Sequence, residues 1–512
     1  MSKRFANRHV SPWRLTLLIE IIGGLVFAGF EGWRWFENAQ SVTSKPWFAG
    51  YVDVTATPAY AFEASKEASG ENVVLSFVVA DPDEACTPSW GAAYSLTDAE
   101  TELDLDRRLA RLVQQGGEAM VSFGGQANDE LAVTCADDER LLDAYRSVVD
   151  RYDIDAIDLD IEGDALSDAA ANERRARAIA ALQAERTASG RPIAVWLTLP
   201  VAPTGLTEQG TDIITTMLET GVELTGVNVM TMNFGSSLDD GVSMGAASVS
   251  ALEGTQRQLG VLYQQQGTDL TEATLWNKVG VTPMIGQNDV RDEVFGFDDA
   301  EVVNAFVQEH TLGRASMWSL NRDVTCGANV VAVREVSDSC SGIAQGDERF
   351  AEVLGAGLDG SPLSGAGVPT TSEPVPLVTD DPATSPYAIW SEDASYRAET
   401  RVVWHGNVYE AKWWTKGDLP DNPVLQEFET PWRLIGPVLP GETPVPVPTV
   451  PAGTYPDWSG DETYDRGQRV LFDGLPYEAK WWTRGDSPQA SETEPDSSPW
   501  LALDAEDVLA GE

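Results

Sequence analysis

Histidine is nearly missing from this chain of 512 residues, which holds only His9, His310 and His405. None stands near a candidate nucleophile, so a Ser/His/Asp or Cys/His hydrolase would have no base. The four cysteines form no Cys/His cluster at metal-ligand spacing, and neither a metal nor a cofactor is expected. Positive charge is also scarce: 34 Lys and Arg stand against 81 Asp and Glu, a formal net charge of −47. Such a surface repels phosphate backbones, which excludes nucleic acid as a partner.

One long apolar run exists, at residues 15–30, preceded by Lys3, Arg4, Arg8 and Arg14 and broken by Glu20. Extended to residues 13–36 it reaches spanning length, with tryptophans at the positions of interface anchors. The small pair Ala39 and Ser41 follows too late for a cleaved signal peptide. An uncleaved anchor over 13–36 is therefore expected, with the basic residues 1–14 cytoplasmic and the remainder extracellular; a cleaved export signal is the alternative. Export makes disulfides available. Four cysteines permit three pairings. Cys326 with Cys340, in one loop region, and Cys86 with Cys135, in adjacent strand–helix units, are the expected bridges, against four buried thiols.

What the chain does have is acid in a pattern. Residues 155–162 read Asp-Ala-Ile-Asp-Leu-Asp-Ile-Glu. From Ile157 apolar and acidic residues alternate, so a strand here puts Asp158, Asp160 and Glu162 on one face and Ile157, Leu159 and Ile161 on the other. Asp158 and Glu162 then lie roughly 13 Å apart with Asp160 between them. No Lys or Arg separates the acids, and their mutual repulsion raises at least one pKa, as a general acid requires. The alternative is a solvated edge strand, which the apolar face opposes.

The octapeptide Asp155–Glu162 matches the D-x-x-D-x-D-x-E signature of glycoside hydrolase family 18, the chitinase family. Ser122-Phe-Gly124-Gly125 resembles that family's S-x-G-G motif, Met230-Thr-Met232-Asn233-Phe234 its M-x-M/Y-D/N segment, and Met317-Trp318-Ser319 its tryptophan-bearing last strand. These four stand in the family's order and together cover about residues 46–357. Strand patterns at 48–54, 73–79, 119–123, 156–161, 193–199, 226–231, 279–283 and 315–319 alternate with helical ones such as 105–114, 141–152, 173–186 and 212–220. Eight such units read as an α/β fold, a (β/α)8 TIM barrel, with the motifs at the C-terminal ends of strands. The connection from residue 284 to residue 314 is too short for an added lobe, so an open groove suited to mid-chain attack is expected.

Residues 358–386 are rich in Pro, Ser, Thr and Gly and read as a linker. Two small all-β modules follow, 387–436 and 455–505, joined by the Pro-rich stretch 437–454. They repeat one pattern: Trp390, Tyr396, Tyr409, Trp413, Trp414 and Asp418 recur as Trp458, Tyr464, Tyr477, Trp481, Trp482 and Asp486, each 68 positions on, as from Trp414 to Trp482. The pattern resembles carbohydrate-binding modules of families 5 and 12, which implies that Trp413, Trp414, Trp481 and Trp482 stack on sugars. The alternative is that each pair sends one ring into the core. Glu399 stands where the second module has Gly467, so a different turn is expected there.

The resemblance implies an endo-acting chitinase whose catalytic residues are Glu162, Asp160 and Asp158. Glu162 is the acid and base, Asp160 orients the acetamido group, and Asp158, lying deeper, shares a proton with Asp160. Trp318, Met232, Asn233, Ser122 and Tyr51 form the expected substrate-binding set; Trp318 floors the subsite and Ser122 bonds Asp158. Met232-Asn233 stands where many members have Tyr-Asp, so a negative charge near the acid is expected to be missing. The expected partner is chitin or a related N-acetylglucosamine polymer. An endo-β-N-acetylglucosaminidase on N-glycans and a non-catalytic wall-binding protein are the alternatives.

Overall fold

A computed structural model describes residues 44–64, 72–327, 336–364, 378–382, 384–439, 450–451, 453–472, 474–488, 491, 497–503 and 508. The expected membrane segment 13–36 and its basic flank lie outside these residues. Among those described, no helix is long and apolar enough to cross a membrane. The chain parts into two compact units between Val375 and Pro376.

In the first unit, parallel strands alternate with helices. The strands Trp47–Phe48, Gly50–Asp53, Asn72–Ala80, Glu118–Gly124, Ala156–Asp160, Ala194–Ala202, Gly226–Met230, Val279–Thr282 and Arg314–Ala315 pair in sequence order. Trp47–Phe48 pairs in parallel with Arg314–Ala315, and Gly50–Asp53 with Asn72–Ala80, so the ladder returns to its start through residues 47–53. Nearly every residue of these strands is buried, as expected of parallel strands covered on both faces. The helices dock by apolar stripes: Asp138–Tyr152 buries Leu141, Ala144, Tyr145, Val148, Val149 and Tyr152, a 3.6-residue spacing. Its start is set by Asp137, whose side chain accepts from the Arg140 N–H.

Alternation along the strands sorts the interior into layers. The lowest holds Trp47, Ala49, Val74, Met120, Ala156, Ala194 and Trp196. Trp196 fits because residue 226 is glycine; a Cβ there would stand 2.4 Å from its ring. Above these rings lies the Arg314 guanidinium, 5.5 Å from the Trp47 ring, 5.4 Å from Tyr51 and 5.6 Å from Trp196. Two residues further up each strand come Ser122, Asp158, Thr198, Asn228 and Thr282, and above them Asp160 and Glu162. The interior of this unit is thus apolar below and acidic at the C-terminal ends of its strands.

The second unit repeats itself. Strands Arg401–Trp404, Asn407–Ala411 and Trp432–Pro437 have counterparts in Arg469–Phe472, Leu475–Ala479 and Trp500–Ala502. Each copy closes on a small aromatic core, Trp390, Tyr396, Tyr409 and Trp432 in one, Tyr464, Tyr477 and Trp500 in the other. The same bonds recur: Trp432 Nε1 donates to the Asp418 carbonyl and Trp500 Nε1 to that of Asp486, both at 2.8 Å. The turn expected to differ does not. Glu399 adopts φ +67° and Gly467 φ +86°, and their N–H groups donate to Ala411 and Ala479 carbonyls at 2.7 Å.

Candidate active site

Asp158 is fully buried, and four donors take its two oxygens. Arg314 Nη1 at 2.5 Å and Thr198 Oγ1 at 2.7 Å donate to Oδ1; Tyr51 Oη at 2.8 Å and Ser122 Oγ at 2.7 Å donate to Oδ2. Each oxygen of Asp158 thus accepts from two donors, and the charge of Asp158 is among those that raise the Asp160 carboxyl. Ser122 is likewise buried beneath the cleft rather than lining it, so its place in the substrate-binding set is corrected to support of Asp158.

Asp160 lies one alternation higher, 4% exposed, and its Oδ1 has no hydrogen-bond partner. Burial, and then the charges of Glu162 and Asp158, push its carboxyl well above the usual range, against the pull of Arg314. The two glycines of Ser122–Gly125 act here. A Cβ on Gly124 would stand 2.0 Å from the Asp160 carbonyl oxygen, and one on Gly125 2.8 Å from the Phe77 ring. Both have positive φ, and the Gly125 N–H donates to that carbonyl at 3.0 Å. Glycine at these positions lets the backbone press against the acidic strand.

Glu162 stands at the mouth. Burial first, and then the charge of Asp289, raise its carboxyl to about 7. Asp289 sits on the hairpin formed by Gly286–Gln287 and Val294–Phe295. Asn233 holds it there: Asn233 Nδ2 donates to Asp289 Oδ2 at 2.8 Å, and the Asp289 N–H donates to Asn233 Oδ1 at 2.8 Å. The negative charge expected to be missing beside Met232-Asn233 is present, supplied by another loop.

Tyr51, Phe77, Asp160, Glu162, Met232, Asn233, Asp289 and Trp318 line one cleft of about 340 Å3, within the range of small-ligand sites. Trp318 stacks on Phe77, with centroids 5.4 Å apart and planes 18° from parallel. Four participants escaped the reading of motifs. Arg314 carried a usable signal, since it shares the strand parity of Ser316 and Trp318 and a buried-side arginine implies a buried acid. Thr198 and Asn228 look like ordinary strand residues, and Asp289 sits in a loop without pattern. Among the described residues no group of His, Cys, Asp and Glu could hold a metal ion.

The disulfides are Cys86–Cys135 and Cys326–Cys340, the pairing expected. In the modules, Trp413, Trp481 and Trp482 are 45%, 44% and 61% exposed, Trp414 is half-buried, and none of the four belongs to a module core. Alternation does not send one ring of each pair inside.

Comparison with known proteins bears on this arrangement. The chain is 33% identical over 331 residues, 62% of its length, to a probable bifunctional chitinase/lysozyme of Escherichia coli, covering 34% of that protein. It is 32% identical over 342 residues to endochitinase 11 of Metarhizium anisopliae, 63% of this chain and 60% of that one. The catalytic domain of a hyperthermophilic chitinase from Pyrococcus furiosus superposes with a TM-score of 0.52 at 26% identity, covering 61% of this chain and 96% of that domain. Over about three fifths of its length the chain is thus similar to chitinases. Its first unit has the alternating strand–helix order of a TIM-barrel-like domain, and residues 457–501 match the family 5/12 carbohydrate-binding module. It spans about a third and three fifths of the lengths of the two curated relatives.

Proposed function

We propose that the protein is an extracellular, endo-acting chitinase that hydrolyses β-1,4 bonds between N-acetylglucosamine units by substrate-assisted catalysis with retention. The observation that carries this reading is Asp160 Oδ1, buried without a partner in the cleft that Glu162 also lines. It is an acceptor waiting for a donor, and the acetamido N–H of a bound sugar fills it. Glu162 protonates the glycosidic oxygen; the C1–O bond breaks as the acetamido carbonyl oxygen bonds C1. Asp160 stabilises the resulting oxazolinium cation. Glu162, now a carboxylate, takes a proton from the water that opens the ring, which restores the acid and the original anomeric configuration.

Trp318 on Phe77 offers a flat apolar floor for the sugar ring. Mid-chain attack is supported by the connection after Val279–Thr282, which holds only a hairpin and the helix Phe297–His310. An extracellular location is supported by the two disulfides. Both modules hold the chain on solid chitin through Trp413, Trp414, Trp481 and Trp482. The test is Glu162→Gln: hydrolysis of chitin oligosaccharides is lost, while binding to insoluble chitin persists. Near-normal turnover by that variant overturns the mechanism.

A further inference from the structure

The hairpin that carries Asp289 is held from two sides. On one side Asn233 bonds Asp289, and the buried Glu293 carboxylate accepts from the Phe234 and Gly235 N–H groups at 2.9 and 2.6 Å. On the other the chain bends at Gly286, φ +68°, where a Cβ would stand 2.0 Å from the Ser341 carbonyl oxygen. The carbonyls flanking this bend, Ile285 and Gln287, both accept from one atom, Arg322 Nη2, at 3.1 and 2.7 Å. Arg322 is fully buried and ends the short helix Leu320–Arg322, just beyond Trp318. Its Nε and Nη1 are buried with no hydrogen-bond partner among the described residues. Neutral side chains tie carbonyls equally well in the same hairpin, where Asn288 Nδ2 donates to those of Met284 and Gly286 at 2.9 and 3.2 Å. A buried cation is costlier than a buried amide, so two carbonyl contacts do not account for an arginine. What the guanidinium adds is charge. Burial lowers it to about 10, against the charges of Asp289 and Asp338, so it stays protonated where Glu162 works as an acid.

We propose that Arg322 is a positioning residue for the acid step: it fixes the bend at Gly286 and draws Asp289 inward, so that the Asp289 carboxylate faces Glu162. The inference rests on the chitinase reading, in which Glu162 supplies the proton to the glycosidic oxygen. Arg322 does not line the cleft, so it acts through the hairpin and not on the substrate. Besides Asp289, the charged groups lining the cleft with Glu162 are Asp53, Asp160 and Asp338. Asp338 also feels Arg322, but the charge that raises Glu162 is that of Asp289.

The test is a double-mutant cycle on the full chain, read as pH–rate profiles on a soluble chitin oligosaccharide. Arg322→Gln removes the charge and keeps a donor. It is expected to lower kcat/KM about fivefold at pH 8 and by less than about twofold at pH 5. Added to Asp289→Asn it should lower the pH 8 rate no further, because its effect passes through a charge already removed. Losses that multiply with that of Asp289→Asn, or that are equal at pH 5 and pH 8, refute the inference and leave the chitinase reading intact; an arginine that only supports the fold gives that result. Should Arg322→Gln not fold, Arg322→Lys takes its place, since it keeps the charge but not the fork that spans both carbonyls. About a threefold loss at pH 8, absent in the Asp289→Asn background, is then expected, and an unchanged profile refutes the inference. No turnover of the oligosaccharide by the unsubstituted chain refutes the chitinase reading, and this inference with it.

Discussion

Replacing Asp289 by asparagine tests how the acid is tuned. Glu162 sits at about 7 because it is buried and because Asp289 faces it with a negative charge. The amide keeps the local structure: its oxygen still accepts from Asn233 Nδ2, and the backbone N–H still donates to Asn233 Oδ1. Only the charge goes. A neighbouring carboxylate in a half-buried site is worth about one pH unit, so Glu162 is expected to fall from about 7 to about 6. At pH 8 roughly one tenth of the acid is protonated in the wild type and about one hundredth in the variant, a tenfold loss of rate. At pH 5 both are protonated and the rates agree within about twofold. The assay is the pH–rate profile on a soluble chitin oligosaccharide, which removes any effect of the modules. An alkaline limb that does not move would show that burial alone sets the acid. A uniform loss at every pH would show that Asp289 acts on substrate binding instead.

The same carboxyl links pH to stability. Between its unfolded value near 4.5 and its folded value near 7 the folded chain holds the extra proton, so its contribution is lost as pH rises through that window. Glu162→Gln is therefore expected to stabilise the catalytic unit by about 1–3 kcal/mol at pH 8 and by nothing measurable at pH 4, read from thermal unfolding at the two pH values. Glu399→Gly relieves a left-handed residue at φ +67° and should stabilise its module by about 1 kcal/mol in calorimetry of the whole chain, whereas Gly467→Glu should cost a similar amount. Trp481→Ala with Trp482→Ala removes two exposed rings and should weaken binding to insoluble chitin about tenfold, with rates on soluble oligosaccharides unchanged; equal losses on both substrates would place the rings at the active site.

Much of the molecule is legible in the residues because local rules act on them directly. Alternation placed Asp158, Asp160 and Glu162 on one face, and the observed strand Ala156–Asp160 runs within the 156–161 read from it. The helix expected at 105–114 is Leu105–Gln114. The repeat at an offset of 68 is legible in the residues, and its two copies share their strands, since identical side chains at identical spacing fold alike. Strand ends were less legible. The last strand, read as 315–319, begins at Arg314–Ala315, and its pairing continues to Trp318, which bridges Met284 in parallel while the Tyr51 N–H donates to the Met317 carbonyl at 3.1 Å.

What the tertiary structure decided is which charges meet. Asp158 and Arg314 are 156 positions apart, yet the parallel pairing of the strands brings them together as one buried pair. Arg314 and Thr198 take one oxygen of Asp158, and Tyr51 and Ser122 take the other. Asp289 reaches Glu162 only because a hairpin folds back over the mouth and Asn233 ties it down. Periodicity reports which face a side chain takes along its own strand, and motifs report residues whose spacing is short. Electrostatics depends on distance in space, and loops that carry no pattern set that distance. The acids could thus be named from the sequence, whereas the tuning of Glu162 by Asp289 could not.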